Sequence, residues 1–362
     1  MKRFTLAALA VACTSAALAA AAAFTAHGAD PGATSSTPWR SALPVRAAMP
    51  GFDGAVTWLN SAPLTPQQLR GKVVLVDFWT YSCINCIRTL PYVRAWADKY
   101  RAAGLVVVGV HTPEFKFEKD LANVNAALAR FKIDFPVAVD SDQRIWQAWG
   151  NHAWPAYYLV DTNGKLRYQQ LGEGRYDKME RAIQSLLAEA RGAPVDTALV
   201  QPAALAEQAA PDLAQLDSGE AYVGYRQADN FRSLEPLRRD APQRYSVGSL
   251  GVNQWGLAGQ WTIGAESAVS DLPHAAIAHR FSARDLHLVM GAATGHTVRI
   301  KVTLDGRPPG ADHGADIDAD GNGVIAHTRL YQLIRQSGKV DARRVEIRFL
   351  DAGAQAYAFT FG

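Results

Sequence analysis

The chain is poor in cysteine: three in 362 residues, too few for a stabilising disulfide framework. It has no polybasic run. With 37 basic residues against 34 acidic ones, its charge balance does not point to nucleic acid or an anionic membrane surface. It has no internal repeat and no glycine-rich loop of the kind that cradles phosphates. Apolar residues are not scarce. They make up 48% of the chain, enough for a packed core and too many for global disorder.

What is present begins with MKRFTLAALAVACTSAALAAAAAFTAHGA. Lys2 and Arg3 form a basic start, no charged side chain follows until Asp30, and Ala26 and Gly28 suit cleavage after Gly28. Residues 1–28 are therefore expected to be an export signal, placing the protein in the periplasm or another extracytoplasmic space. A retained membrane anchor and a lipidated Cys13 are the alternatives. Without Lys2 and Arg3 the balance is 35 basic to 34 acidic residues. Without Cys13, Cys83 and Cys86 stand alone in an oxidising compartment, where they can pair only with each other or with a partner protein. A bridge across two intervening residues closes a tiny loop and constrains little of the unfolded chain, so a purely structural disulfide explains them poorly.

Residues 29–50 carry Pro, Ser and Ala without periodicity and read as a tether. From 51 to 191 apolar strands alternate with amphipathic helices. VVLVDFW (73–79) and LVVVGV (105–110) have the two-faced apolarity of parallel strands, with helical spacing over 84–102 between them. FPVAVD (135–140) and AYYLVD (156–161) predict strands, and DQRIWQAW (142–149) a helix. Asp161-Thr162-Asn163-Gly164 predicts a hairpin turn, and 176–191 a helix closed by Gly192. Residues 192–216, rich in Ala, Pro and Gln, read as a linker. From 217 to 362 short alternating segments spaced by Gly, Asp and Pro predict an all-β sandwich, of jelly-roll or carbohydrate-module type, with one helical turn near RLYQLIRQ.

The chemistry concentrates in FWTYSCINCIRTLP (78–91). A buried strand ends near Trp79 and a helix begins close to Cys83. At that position free N–H groups and the helix dipole favour a thiolate, the attacking species in disulfide exchange. Cys86 lies one turn further on the same face, placed to attack a mixed disulfide. Pro91 falls inside the helical pattern. A CxxC that follows a strand and opens a helix is a strong signal for the thioredoxin arrangement.

The order of residues resembles the thioredoxin family, nearer its TlpA and ResA branch, and most of all the soluble C-terminal part of DipZ-family proteins. The resemblance extends into the second half through NQW, ARDLHLV, RLYQLIRQ and the closing AYAFTFG. It implies a thiol–disulfide oxidoreductase that exchanges electrons with protein thiols or disulfides through a redox-active Cys83–Cys86 disulfide, without a bound cofactor or metal. It makes Asp77 the buried acid that exchanges a proton with Cys86, Pro91 the family's helix proline, and Trp154-Pro155 the cis-proline turn facing the pair. Residues 111–133 become the branch's extra segment, with Glu114 an acid beside the cysteines. Trp79, Ser82, Trp154 and Pro155 are the expected substrate contacts. The resemblance further implies a separate membrane reductant of the CcdA or DsbD type. Ile84-Asn85 between the cysteines and Ser82 before them depart from thioredoxin itself, so a potential cannot be carried over.

Other readings compete. Two thiolates are too few for structural zinc, but His152 near Pro155 would add a third ligand for a copper chaperone. Thr80 and Cys83 have the TxxC spacing of thiol peroxidases, although Val76 replaces the proline expected there. For Asp77, a carboxylate inside an apolar strand is costly unless it serves a purpose. A loop glutamate such as Glu114 is by default merely solvated. In the second half, Asp316, Asp318 and Asp320 with Gly321 have calcium-loop spacing, but His327 stands where the closing Glu belongs, so a turn is expected. Trp255 and Trp261 would suit a glycan platform, and core packing is their more usual fate. The alternative from another class is a glycan- or partner-binding protein with a regulatory redox domain.

Overall fold

Strand VVLVDFW is buried along its whole length because helices cover both faces of the sheet it centres. The computed structural model describes residues 41–203, 208–293 and 296–362. The expected signal, Cys13 and the start of the expected tether lie outside these residues. The first module contains β1 (Thr57–Leu59), β2 (Val73–Trp79), α1 (Ile84–Tyr100), β3 (Leu105–His111), α2 (Leu121–Phe131), β4 (Val137–Val139), α3 (Arg144–Ala148), β5 (Ala156–Val160), β6 (Leu166–Leu171) and α4 (Tyr176–Arg191). The strand order is β1-β4-β3-β2-β5-β6. Strands β2, β3 and β4 run parallel, while β1, β5 and β6 run antiparallel to their neighbours.

The pleat divides the core. Val73, Leu75 and Trp79 of β2 pack with α1, α2 and α4, while Val74, Val76 and Phe78 pack with Ile145 and Trp149 around α3. Asp77 therefore projects toward the α1 face. Pro91 lies inside α1, and Gly192, at φ 64°, ends α4 as expected. Residues 41–50, where a tether was expected, are held on this module: Arg46 and Met49 donate backbone bonds to Leu166 and Gly164, and Met49 is buried. The expected linker is likewise attached. Val200 N–H donates to both Glu180 carboxylate oxygens, at 3.1 and 3.0 Å, and Val195 and Val200 pack on the core.

The second module is all-β and antiparallel. It comprises β7 (Ala221–Tyr222), β8 (Pro242–Tyr245), β9 (Gln254–Ile263), β10 (Ala268–Ser270), β11 (Ala276–Ser282), β12 (Asp285–Ala292), β13 (Val298–Leu304), β14 (Asn322–Ile325), β15 (Arg329–Arg335), β16 (Ala342–Phe349) and β17 (Ala354–Phe361). Strand β9 joins its two halves. Gln254–Ala258 pair with β11, and Trp261–Ile263 pair with β10. The change of partner falls at Gly259, whose φ of 87° and approach to Ala275 exclude a side chain. The segment RLYQLIRQ, expected to hold a helical turn, is strand β15. Leu330 faces the first module's core and Tyr331 and Leu333 face the second's, and this two-sided burial erases the alternation that marks a strand.

The two modules meet through apolar side chains. Val289, Leu330, Tyr357 and Ala358 join the core cluster of the first module. Phe117 and Tyr357 meet edge to face at 4.7 Å, and Phe115 lies 5.4 Å from Tyr357.

Candidate active site

The loop between β2 and α1 sets the site. Cys83 is the residue before the first turn of α1, with extended backbone (φ −80°, ψ 117°), and its carbonyl accepts from Ile87 N–H. Both cysteines are reduced. Cys83 is half-buried, whereas Cys86 is wholly enclosed. Burial pushes the Cys86 thiol well up, and the neighbouring Cys83 and the charge of Asp77 push it further. Behind the pair, Asp77 is fully buried, and neither carboxylate oxygen finds a hydrogen-bond partner among the described residues. Loss of hydration raises it to about 8. An acid in that condition can hold or release a proton near neutral pH.

The loop before Cys83 is braced from a direction the sequence does not reveal. Glu118, fully buried, accepts five hydrogen bonds: from Thr80 Oγ1 at 2.5 Å, Ser82 Oγ at 2.6 Å, Ser82 N at 3.3 Å, Glu114 N at 2.7 Å and Phe115 N at 3.0 Å. It ties the cysteine loop to the 3₁₀ turn Lys116–Lys119. Burial raises this carboxyl, and its hydrogen bonds work against the rise. In the sequence Glu118 sits in the charged run EFKFEKD, which reads as solvated surface. Phe115 stands where a capping box would need Ser or Thr, so no local pattern signals it.

Cys83 opens into a cleft of about 470 Å³ built by both modules. The first module supplies Ile84, Asn85, Glu114, Ala153, Trp154 and Glu173. The second half of the chain supplies Leu213, Leu216, Glu220, Tyr222, Thr360 and Phe361. The Trp154–Pro155 bond is cis, and Trp154 Nε1 donates to Thr112 O at 3.0 Å while its ring packs 4.1 Å from Trp146. The structure thus brings Cys83, Glu114 and Trp154 to one cleft, with Cys86 and Asp77 beneath it. Three of the expected substrate contacts do not line the cleft. Pro155, which follows Trp154 in the sequence, is buried. Trp79 is fully enclosed in the core, because β2 points it toward the α1 face. Ser82 is buried and turned inward to Glu118. Glu114 is not a solvated loop residue: it is half-buried, accepts a 2.5 Å bond from Tyr222 and is held at about 8 by loss of hydration and then by the charge of Glu220.

The remaining motifs have structural explanations. Asp316 accepts from Arg329 at 2.6 Å and from Gln332 N at 2.7 Å, and Asp318 accepts from Asn322 N at 2.8 Å, so these carboxylates close a turn. Trp255 and Trp261 are completely buried, each donating its indole N–H to a backbone carbonyl, and form no surface platform. His152 is exposed, and no group of three metal-ligating side chains occurs among the described residues.

Comparison with known proteins follows the same division. A family profile described as Redoxin matches residues 45–186, and one described as Thioredoxin like C-terminal domain matches residues 218–362. Protein DipZ of Mycobacterium bovis and of Mycobacterium tuberculosis are each 34% identical over 322 residues, covering 86% of this chain and 42% of the relative. The chain thus spans less than half the length of these relatives. Thiol-disulfide oxidoreductase YkuV of Bacillus subtilis is 34% identical over 147 residues, covering 41% of this chain and 99% of YkuV. Among solved structures, the solution structure of a thioredoxin-like protein in the oxidized form is 36% identical, with a TM-score of 0.38, covering 40% of this chain and 97% of that one.

Proposed function

Because the chain belongs to the thioredoxin-like thiol–disulfide oxidoreductases, we propose that Cys83 and Cys86 form a dithiol that carries two electrons between the protein and the thiols or disulfides of other proteins. One observation carries the reading: a half-exposed cysteine at a helix start, a buried cysteine one turn on, and behind them a buried acid with no hydrogen-bond partner among the described residues.

In the reducing direction the Cys83 thiolate attacks a substrate disulfide. A mixed disulfide forms, the substrate S–S bond breaks, and one substrate thiolate leaves and takes up a proton. Cys86 then passes its proton to ionised Asp77 and attacks the Cys83 sulfur. The products are a Cys83–Cys86 disulfide and a substrate with both thiols free; the same steps in reverse oxidise a substrate dithiol. Turnover in the reducing direction needs two electrons from an external dithiol, and a membrane reductant of the CcdA or DsbD type is the donor this reading assigns. Export by residues 1–28 would place the exchange outside the cytoplasm. Among the described residues no helix is long and apolar enough to cross a membrane.

The test is reduction of insulin disulfides with dithiothreitol as electron source. Wild-type protein accelerates it and Cys83→Ser does not; equal rates for the two would remove the reading.

A further inference from the structure

We propose that Tyr222 and Glu220, both from the C-terminal half of the chain, are positioning residues of the redox site that hold Glu114 and one shared proton at the wall of the cleft above Cys83. The inference rests on the dithiol reading above. The Tyr222 hydroxyl lies 2.5 Å from Glu114 Oε1 and 3.0 Å from Glu220 Oε2. A phenol has one hydrogen and can donate to only one of them. With both carboxylates ionised, the second contact would set two acceptors against each other. It becomes a hydrogen bond when one carboxyl keeps its proton and donates to the phenol oxygen.

The surroundings favour that proton. Tyr222 is fixed on β7, which pairs with β17 through Ala358, and its ring packs 6.3 Å from Phe115 beside Tyr357. The charged and titratable groups facing the trio are Cys83 and Glu173 across the cleft and Glu118 behind Glu114, with Asp77 and Cys86 deeper. Arg88, the nearby cation, is committed to Glu173 at 3.2 Å. Among the described residues no Lys, Arg or His lines the cleft. Two adjacent carboxylates without a cation are relieved by a shared proton. The elevation of Glu114 to about 8 agrees with this.

The function follows from place. When Cys83 displaces a substrate thiolate, that thiolate leaves inside this cleft. The trio releases its proton there, becomes fully ionised and recovers a proton from water after the product departs. The C-terminal module thereby completes the redox site.

The trio's proton is read by the infrared band of protonated carboxyls, titrated in Asp77→Asn protein so that the other acid near 8 is removed. Adding Glu220→Gln removes a like charge and lowers the midpoint by about 1 pH unit or more. Adding Tyr222→Phe keeps the ring on Phe115 but removes the oxygen that accepts from the protonated carboxyl, and also lowers the midpoint. In otherwise wild-type protein, the pH profile of insulin reduction moves to lower pH with both variants. A midpoint that stays put or rises in either variant overturns the proposal. Lowered band midpoints with an unmoved insulin profile remove the link to the redox site. If the wild-type protein fails to reduce insulin at all, the dithiol reading fails, a result separable from the band titration.

Discussion

The Thr80 hydroxyl donates to the Glu118 carboxylate across 2.5 Å, joining the loop before Cys83 to a turn that begins 36 residues beyond Thr80, at Lys116. That bond belongs to a buried carboxylate whose five donors are all supplied by the cysteine loop and the segment Glu114–Phe115. The positioning of Cys83 therefore depends on a residue outside its own loop and helix.

Glu118→Ala strands these donors in a dry interior, and unfolding free energy should fall by about 2–4 kcal/mol in urea titrations. Glu118→Gln should lose less. Its amide oxygen can replace Oε2 facing the two N–H groups, and its NH₂ can donate to the Thr80 and Ser82 hydroxyls, which rotate to accept. Equal losses for the two variants would mean that neither volume nor the bonds an amide can keep accounts for the stability Glu118 supplies, and would contradict this reading of the network.

Asp77 trades stability for reactivity. Its carboxyl is at about 8 in the folded protein against an ordinary value of 3.8. Below the ordinary value both states hold the proton and burial carries no charge penalty. As pH rises from there to about 8 the unfolded state gives up its proton first, so stability falls steadily, and above about 8 it levels off. Asp77→Asn should abolish this slope. The variant should be more stable than wild type by a few kcal/mol at pH 8, on the order of 1.4 kcal/mol per pH unit of the shift. It should also slow resolution of the mixed disulfide more than its formation. Thermal melts at pH 5 and pH 8, with stopped-flow exchange, read both effects. A less stable Asp77→Asn protein at pH 8 contradicts the account.

Calcium should not stabilise the second module. Asp316 is engaged by Arg329 and Gln332, and Asp318 by Asn322. The melting temperature should be the same with millimolar calcium and with a chelator. A calcium-dependent rise that disappears in Asp318→Ala would show that the turn reorganises into a site.

In reduced protein, iodoacetamide at neutral pH should modify Cys83 well before Cys86. Cys83 is half-exposed at the start of α1, while Cys86 is enclosed and its thiol is pushed up. Peptide mapping over a time course separates the two.

Much of the first module was legible because its signals are local. VVLVDFW announced a two-sided strand, 84–102 held a helical period, and Asp161-Thr162-Asn163-Gly164 marked a turn; all three were found within a few residues of where they were read. The CxxC is equally local. What escaped is what the fold assembles from distant residues. Glu118 escaped because nothing in EFKFEKD tells of Thr80 and Ser82, which the fold brings to it. Tyr222 and Glu220 lie at the start of the second module, and nothing in GEAY tells of Glu114. Strand β15 was obscured because it serves two cores, and Trp79 was misplaced because a strand end can point either into the core or into the cleft. Local pattern reports which element forms. It does not report which element will lie across from it.

Which cysteine attacks decides the roles of the other residues in the site. The direct measurement is covalent capture of a disulfide-bonded peptide by single-cysteine variants, read by intact mass. Cys86→Ser should accumulate a mixed disulfide at Cys83, because the attacking thiol remains and the resolving thiol is gone, while Cys83→Ser should capture little. A Cys83→Ser protein that traps peptide as well as or better than Cys86→Ser would contradict the assignment.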